Sequence, residues 1–333
     1  VQLDQTHVAV RVRTLSEIGD LALVLLHRYP TTLLVGFTLG ALPWIVADGL
    51  LLYWIPITEA QFGLDDSEAF TELCRYAAWM ALLVFLQTPA AGVITTIYLG
   101  EAVFEHKPTW RSAYQVARKQ FWRWFYCLGV RRLAIPAMLL VAVRMFEPFH
   151  SGFDVAAPIA IFFAALLIRA GRPFLPEMIL LERCPLRSKD PQEITLRRRA
   201  RALHRPVGND VGSRWLTISG TLVVIFAGLF YSLVWARGVT TGYWNFGLFT
   251  WLVLYPLALW TVGGLSVIVR MLAYLDTRIR LEGWDVELAV RAEAIRQFGA
   301  ESEPTGRTSA AEPTSTGDNR LGETLVAGAG GTR

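Results

Sequence analysis

Thr221-Leu-Val-Val-Ile-Phe-Ala-Gly-Leu-Phe-Tyr-Ser-Leu-Val-Trp235 contains no charged side chain and no alternation of apolar with polar residues. A strand of a membrane barrel needs that alternation, because its side chains face lipid and lumen in turn. An unbroken apolar run instead suits a helix apolar on every side. It extends from about Trp215 to Ala236, enough at 1.5 Å per residue to cross roughly 30 Å of hydrocarbon. Five other stretches read the same way: Thr31 to Ile55, Ala77 to Gly100, Trp124 to Phe146, Val155 to Arg172 with a continuation toward Leu181, and Phe246 to Leu275. The expected fold is all-α, a polytopic membrane helix bundle of about six transmembrane helices with cytoplasmic interfacial amphipathic helices.

Composition agrees. Of 333 residues, 53% are hydrophobic and 18% charged, with a mean hydropathy of +0.37, where a soluble domain carries about a quarter charged residues. The charge collects between the apolar blocks. The net charge of +4 is carried almost wholly by arginine, lysine standing only at Lys107, Lys119 and Lys189. Cys74, Cys127 and Cys184 are far apart and odd in number, so neither a disulfide framework nor a metal site is expected. The first residues lack the apolar stretch and cleavage site of a signal peptide, so none is expected.

Arginine and lysine also set an expected orientation. Lys107, Arg111, Arg118, Lys119 and Arg123 separate spans two and three, and a denser run from Arg183 to Arg205 separates spans four and five. Arg11, Arg13 and Arg28 precede the first span; Arg278 and Arg280 follow the last. The segments Pro56–Thr71 and Glu147–Asp154 have no basic residue, and the remaining loop has Arg237 alone. The positive-inside rule then places both termini in the cytoplasm of a multi-pass membrane protein.

The basic segments carry helical patterns of their own. Thr14 and Glu17 have capping-box spacing ahead of Ile18, Leu21, Leu25 and Leu26. Trp110, Ala113, Ala117, Phe121 and Trp124 share one face of a helix opposite Arg111, Gln115 and Arg118. Asp190, Pro191 and Glu193 read as a helix start, and Trp284, Leu288, Ala292 and Ile295 as a last amphipathic stretch. A span, a basic amphipathic helix and a second span recur twice, and the two terminal pieces would complete a third such unit if they lie together. The expected organisation is an N-terminal cytoplasmic arm and amphipathic helix over 1–30, a membrane domain over 31–298, and a disordered Gly-, Ser-, Thr- and Pro-rich tail over 299–333.

Pro176-Glu-Met-Ile-Leu-Leu-Glu182, the arginine-rich helix through Arg198 to Leu203, Arg214-Trp-Leu, and Tyr274-Leu-Asp-Thr-Arg-Ile-Arg-Leu-Glu-Gly-Trp-Asp285 carry a resemblance. Over Leu166 to Glu287 the chain resembles a broad group of bacterial multi-span proteins, related in pattern to the membrane domain fused to some glycerophosphodiester phosphodiesterases. It departs from their pattern at Leu275 and Ala202. The resemblance implies a non-catalytic membrane domain, the phosphodiesterase activity residing in a separate soluble barrel that this chain has no room for.

Ionisable groups at membrane depth are the natural candidates for function, since each costs a few kcal/mol unless paired or hydrated. Asp48 lies about 10 Å inside the outer end of span one, with Arg75 and Arg144 toward the same side as pairing partners. The plainer reading of this candidate intramembrane polar site is a structural ion pair. Arg131, Arg132, Arg169, Arg172, Arg198 and Arg270 gather toward the cytoplasmic ends and form a candidate rim for anionic lipid; the plainer reading is topology control by snorkelling arginines. Gly36 and Gly40 form a GxxxG pair that more often marks packing within a bundle than dimerisation. Pro43, Pro89, Pro136, Pro158 and Pro256 would kink five spans and free carbonyls.

Catalytic signatures are missing from the sequence. The five histidines lie outside the spans, no HExxH or phosphate-loop motif occurs, and Gly264-Leu-Ser266 is followed by no histidine in a span to serve as base. No enzyme, cofactor or metal is expected, and no nucleic-acid partner. The favoured role is a membrane scaffold or accessory module contacting membrane lipids or a membrane-protein partner, with the oligomeric state open. The alternative is a small transporter or lipid-handling permease working around Asp48.

Overall fold

The computed structural model describes residues 13–104, 109–145, 151–186, 194–205, 208–244 and 246–283. All belong to the first of two contact units, 1–288; the second, 289–333, lies outside the described residues. The expected tail, the helix start at Asp190 and the amphipathic stretch from Trp284 are likewise outside them.

The fold is all-α. Six helical stretches are long and apolar enough to cross a membrane: Pro30–Leu52, Asp66–Ala91, Phe121–Met145, Phe153–Gly171, Gly208–Thr241 and Thr250–Glu282. The chain is a multi-pass integral membrane protein. Apolar side chains such as Leu34, Val35, Ile135, Ile168, Val224 and Leu257 point outward on these spans, as a hydrocarbon surrounding requires.

Local chemistry sets the boundaries. Helix α1 (Leu15–Arg28) starts at the expected capping box: the Glu17 N–H donates to Thr14 Oγ1 at 3.4 Å, and the Thr14 N–H donates to Glu17 Oε2 at 2.8 Å. Tyr29 breaks the helix, and Pro30 opens α2 (Pro30–Leu52) at the position where its missing N–H is not needed. A short α3 (Ile57–Phe62) follows in the next loop.

The second span begins well before the expected Ala77. Helix α4 (Asp66–Ala91) opens with Asp66 and Glu68 at the positive end of its dipole, acidic turns that hydropathy alone reads as loop. It stops at Gly92, three residues after Pro89, and α5 (Val93–Phe104) continues as a separate helix. The amphipathic helix expected over 110–125 is likewise divided. Helix α6 (Trp110–Lys119) ends at Gln120; α7 (Phe121–Trp124), a π-helical turn (Phe125–Val130) and α8 (Arg131–Met145) make the third span.

Helix α9 (Ser151–Gly171) holds Asp154 in its first turn, so Asp154 belongs to a span and not to a loop. Span four does not continue to Leu181. Arg172 precedes Pro173, and a residue before proline is pushed out of the helical region; a separate α10 (Leu175–Leu180) then forms. Helix α11 (Leu196–His204) has Thr195 as its N-cap residue. Helix α12 (Gly208–Thr241), a π-helical turn (Thr250–Leu254) and α13 (Tyr255–Glu282) complete the bundle. Gly283 ends α13 in the left-handed conformation (φ 65), its N–H donating to the Ile279 carbonyl.

Two apolar cores result. One joins the side chains of α1, α5, α6, α10, α11 and the second half of α13; the other joins α2, α4, α8, α12 and the first half of α13. In the first, α6 packs on α5, α11 on α10 and α1 on α13. The flanks of the membrane domain meet there: the Arg13 N–H donates to Asp276 Oδ1 at 2.7 Å, and Arg280 Nη2 donates to the Arg13 carbonyl at 2.6 Å. The GxxxG pair packs inside the bundle. A Cβ at Gly40 would collide with the Ala91 carbonyl, and Gly36 lies against Ile94 and Thr95.

Candidate functional site: an arginine-lined cavity between spans three and four

The fold sorts the arginines of the expected rim into three places. Arg131 and Arg132 open α8, Arg169 lies near the end of α9, and Arg172 follows in the turn before α10. These four face one cavity of about 1180 Å³, joined there by Arg197 of α11. Its remaining wall is mostly apolar, from Leu86, Leu128, Ala165, Ile168, Leu175 and Ile179. No aspartate or glutamate is among the described residues that line it. Arg198, the member of the α11 run expected from sequence, lines a separate depression with Arg201, Ala202 and Arg205.

A proline explains how Arg169 is held. Pro89 has no N–H, so the carbonyl of Phe85, four residues earlier, loses its helical partner. Arg169 Nη2 donates to that carbonyl at 3.0 Å, and the guanidinium lies 4.1 Å from the centre of the Phe85 ring. The freed carbonyl anchors a cation in the cavity wall.

Arg270 belongs to the next layer. It is 1% exposed, and its Nε donates to Glu177 Oε1 at 2.6 Å; Glu177 is 0% exposed. Arg132, Arg169, Arg270 and Glu177 lie within electrostatic range of one another. Three positive charges thus face one negative charge already engaged by Arg270. Arg132 Nη1 is buried without a hydrogen-bond partner among the described residues, and Arg131, Arg172 and Arg197 make no ion pair among them. Arg131, Arg172 and Arg197 are exposed, whereas guanidinium charge with no carboxylate of its own at the half-buried Arg132 and Arg169 is costly unless an anion or water meets it.

The expected Asp48 pairing does not occur. Asp48 is 1% exposed and accepts a hydrogen bond from Gln87 Nε2 at 2.6 Å. Arg75 reaches Asp154 instead, Nη2 to Oδ2 at 2.7 Å, with Glu72 at 3.3 Å and the Trp54 ring 4.6 Å away. Arg144 donates to the Tyr53 hydroxyl at 2.7 Å on the surface. The three residues do not form one site. Charge and span order allow Arg75 either carboxylate, and only the packing of α4 against α9 decides the pairing.

A second polar system locks the same end of the bundle, and sequence reasoning missed it. Glu182, just beyond α10, accepts from Arg199 Nε at 2.6 Å and from the Tyr274 hydroxyl at 2.6 Å, and Arg199 continues to Glu282. Asp276 meets Arg280 at 2.8 Å and Arg214 at 3.5 Å. Burial would raise the Glu182 carboxyl, but the bonds from Arg199 and Tyr274 and the charge of Arg278 outweigh it and hold it below its usual 4.5. His204 stacks on Phe174 and shares a hydrogen with the Ala200 carbonyl at 2.8 Å. Burial pushes it below 6.5, Arg172 adds to the fall, and the Ala200 bond only partly opposes it.

Both shifts have one sign. A group whose folded value is depressed holds its proton less firmly in the folded chain, so the unfolded chain binds more protons and stability is lost as the pH is lowered. The thermal midpoint should be flat above about pH 7, decline below about 6.5 as His204 is forced to charge, and decline again below about 4.5 as Glu182 is neutralised. His204→Asn should remove the first decline and keep the second. Unfolding scans across pH, followed by tryptophan fluorescence, check this; a single decline unaffected by the substitution would count against it.

No protein-family model, curated protein or solved structure matches the chain.

Proposed function

We propose that this is a non-catalytic protein of the bacterial inner membrane that binds the phosphate of an anionic lipid in the arginine-lined cavity, serving as a scaffold or accessory module. The cavity carries the proposal: five arginines around an apolar-walled space with no carboxylate among the described residues that line it. Guanidinium groups suit phosphate, since their planar fork donates two hydrogen bonds at once. The apolar wall suits the glycerol and the first acyl carbons. The positive-inside rule puts this end in the cytoplasm, where anionic headgroups meet it. The resemblance to non-catalytic bacterial membrane domains points the same way.

The alternative of a transporter working around Asp48 would need that carboxylate to meet water, and it is 1% exposed under a glutamine.

Arg132→Ala combined with Arg169→Ala tests the proposal. Each cation near a phosphate contributes on the order of a fivefold preference, so the pair should lower retention of anionic lipid roughly thirtyfold. Native mass spectrometry of protein released from detergent measures it. Retention equal to wild type would contradict the proposal.

A further inference from the structure

The cavity does not end at Arg172 and Arg197. Both also line an adjoining depression of about 280 Å³, with Ala200, Arg201, His204 and Arg205. The two differ in their walls. The first is mostly apolar apart from its arginines; among the described residues the second holds Gly171 and Ala200 besides His204 and arginines, and these offer nothing to hold an acyl chain. Arg201 and Arg205 are exposed and make no ion pair among the described residues. His204, neutral at pH 7, leaves the arginine charge undiluted.

A ligand matching both spaces has an apolar body and two anionic groups in series at one end, the outer one beyond Arg172 and Arg197. We propose that the cavity takes a lipid whose headgroup carries two phosphates in series, the proximal phosphate against Arg131, Arg132 and Arg169 and the distal one against Arg201 and Arg205. This rests on the lipid-phosphate reading of the first cavity. Two separate lipids fit less well, because the described residues of the second space give their chains no apolar wall.

Farnesyl monophosphate and farnesyl diphosphate share one apolar body and differ by one phosphate. Isothermal titration of the full chain in neutral detergent should show the diphosphate binding roughly thirtyfold more tightly, one further phosphate meeting two more cations. Arg201→Ala with Arg205→Ala should remove that preference and leave monophosphate affinity within about twofold, which also reports an intact fold. Arg132→Ala with Arg169→Ala should weaken both ligands. Inorganic diphosphate, with no apolar body, should compete far more weakly than either.

Equal wild-type affinity for the two lipids would overturn the inference while the first-cavity reading stands. So would a preference that survives the Arg201 and Arg205 changes. Competition by inorganic diphosphate as strong as the farnesyl ligand would overturn the assignment to a lipid. Failure of both farnesyl ligands to bind would overturn the underlying reading and the inference with it.

Discussion

Glu177→Ala lowers the stability of the detergent-solubilised protein by about 3–5 kcal/mol, the cost of leaving one member of a buried ion pair without the other. Glu177 and Arg270 are both almost wholly buried and 2.6 Å apart. Without the carboxylate, Arg270 remains inside the bundle within range of Arg132 and Arg169, and like charges repel where little water screens them. Glu177→Gln keeps the shape and loses the charge, so it should be nearly as damaging. Glu177→Leu with Arg270→Met removes both charges and should return the midpoint close to wild type, since an apolar replacement of similar volume is often neutral or better. Thermal unfolding followed by tryptophan fluorescence separates these variants. A midpoint unmoved in Glu177→Ala would show that Arg270 does not depend on this carboxylate.

The second large loss is expected in the other half of the bundle. Asp154→Ala should cost about 3 kcal/mol, near the lower end for a broken buried pair, because Arg75 keeps Glu72 at 3.3 Å. Asp48→Asn should cost no more than about 1 kcal/mol. The asparagine side chain would still accept from Gln87, and its new amide would stand where Asp48 Oδ2 has no partner among the described residues. Reversal of that order would return Asp48 to the centre of the account and revive a transporter reading. Chemical denaturation in a fixed detergent, with both variants side by side, decides between them.

The spans were legible because bilayer thickness imposes one requirement on any helix that crosses it, and Thr221–Trp235 meets it with no interruption. Their edges were less so. The acidic opening of α4 looks like loop by hydropathy although Asp66 and Glu68 favour a helix start, a signal that capping rules could have supplied. Pro173 already marked the end of the fourth span.

The arginine cavity was half legible. Arg131, Arg132, Arg169 and Arg172 stand out because basic residues at span ends are visible in any sequence. That Arg197 and not Arg198 joins them follows from the period of α11, where Leu196, Ala200 and Leu203 turn toward the bundle. Pairings between helices were not legible. Whether Arg75 meets Asp48 or Asp154 depends on which helices pack together and in what register, and neither hydropathy nor charge counting contains that information. The Glu182 network was hidden for the same reason: its hydrogen bond to Tyr274 spans 92 residues.

Photolabelling in a bilayer addresses the proposed lipid site directly. A phosphatidylglycerol bearing a photoactivatable group near its headgroup would be mixed into nanodiscs with the full chain, illuminated, and the adducts mapped by mass spectrometry. The proposed site requires adducts concentrated on Tyr126 to Leu128, Ile168, Leu175 and Ile179, and lost in the Arg132→Ala, Arg169→Ala variant. Adducts spread evenly around the six spans, or unchanged by those substitutions, would show that the arginines hold no lipid there.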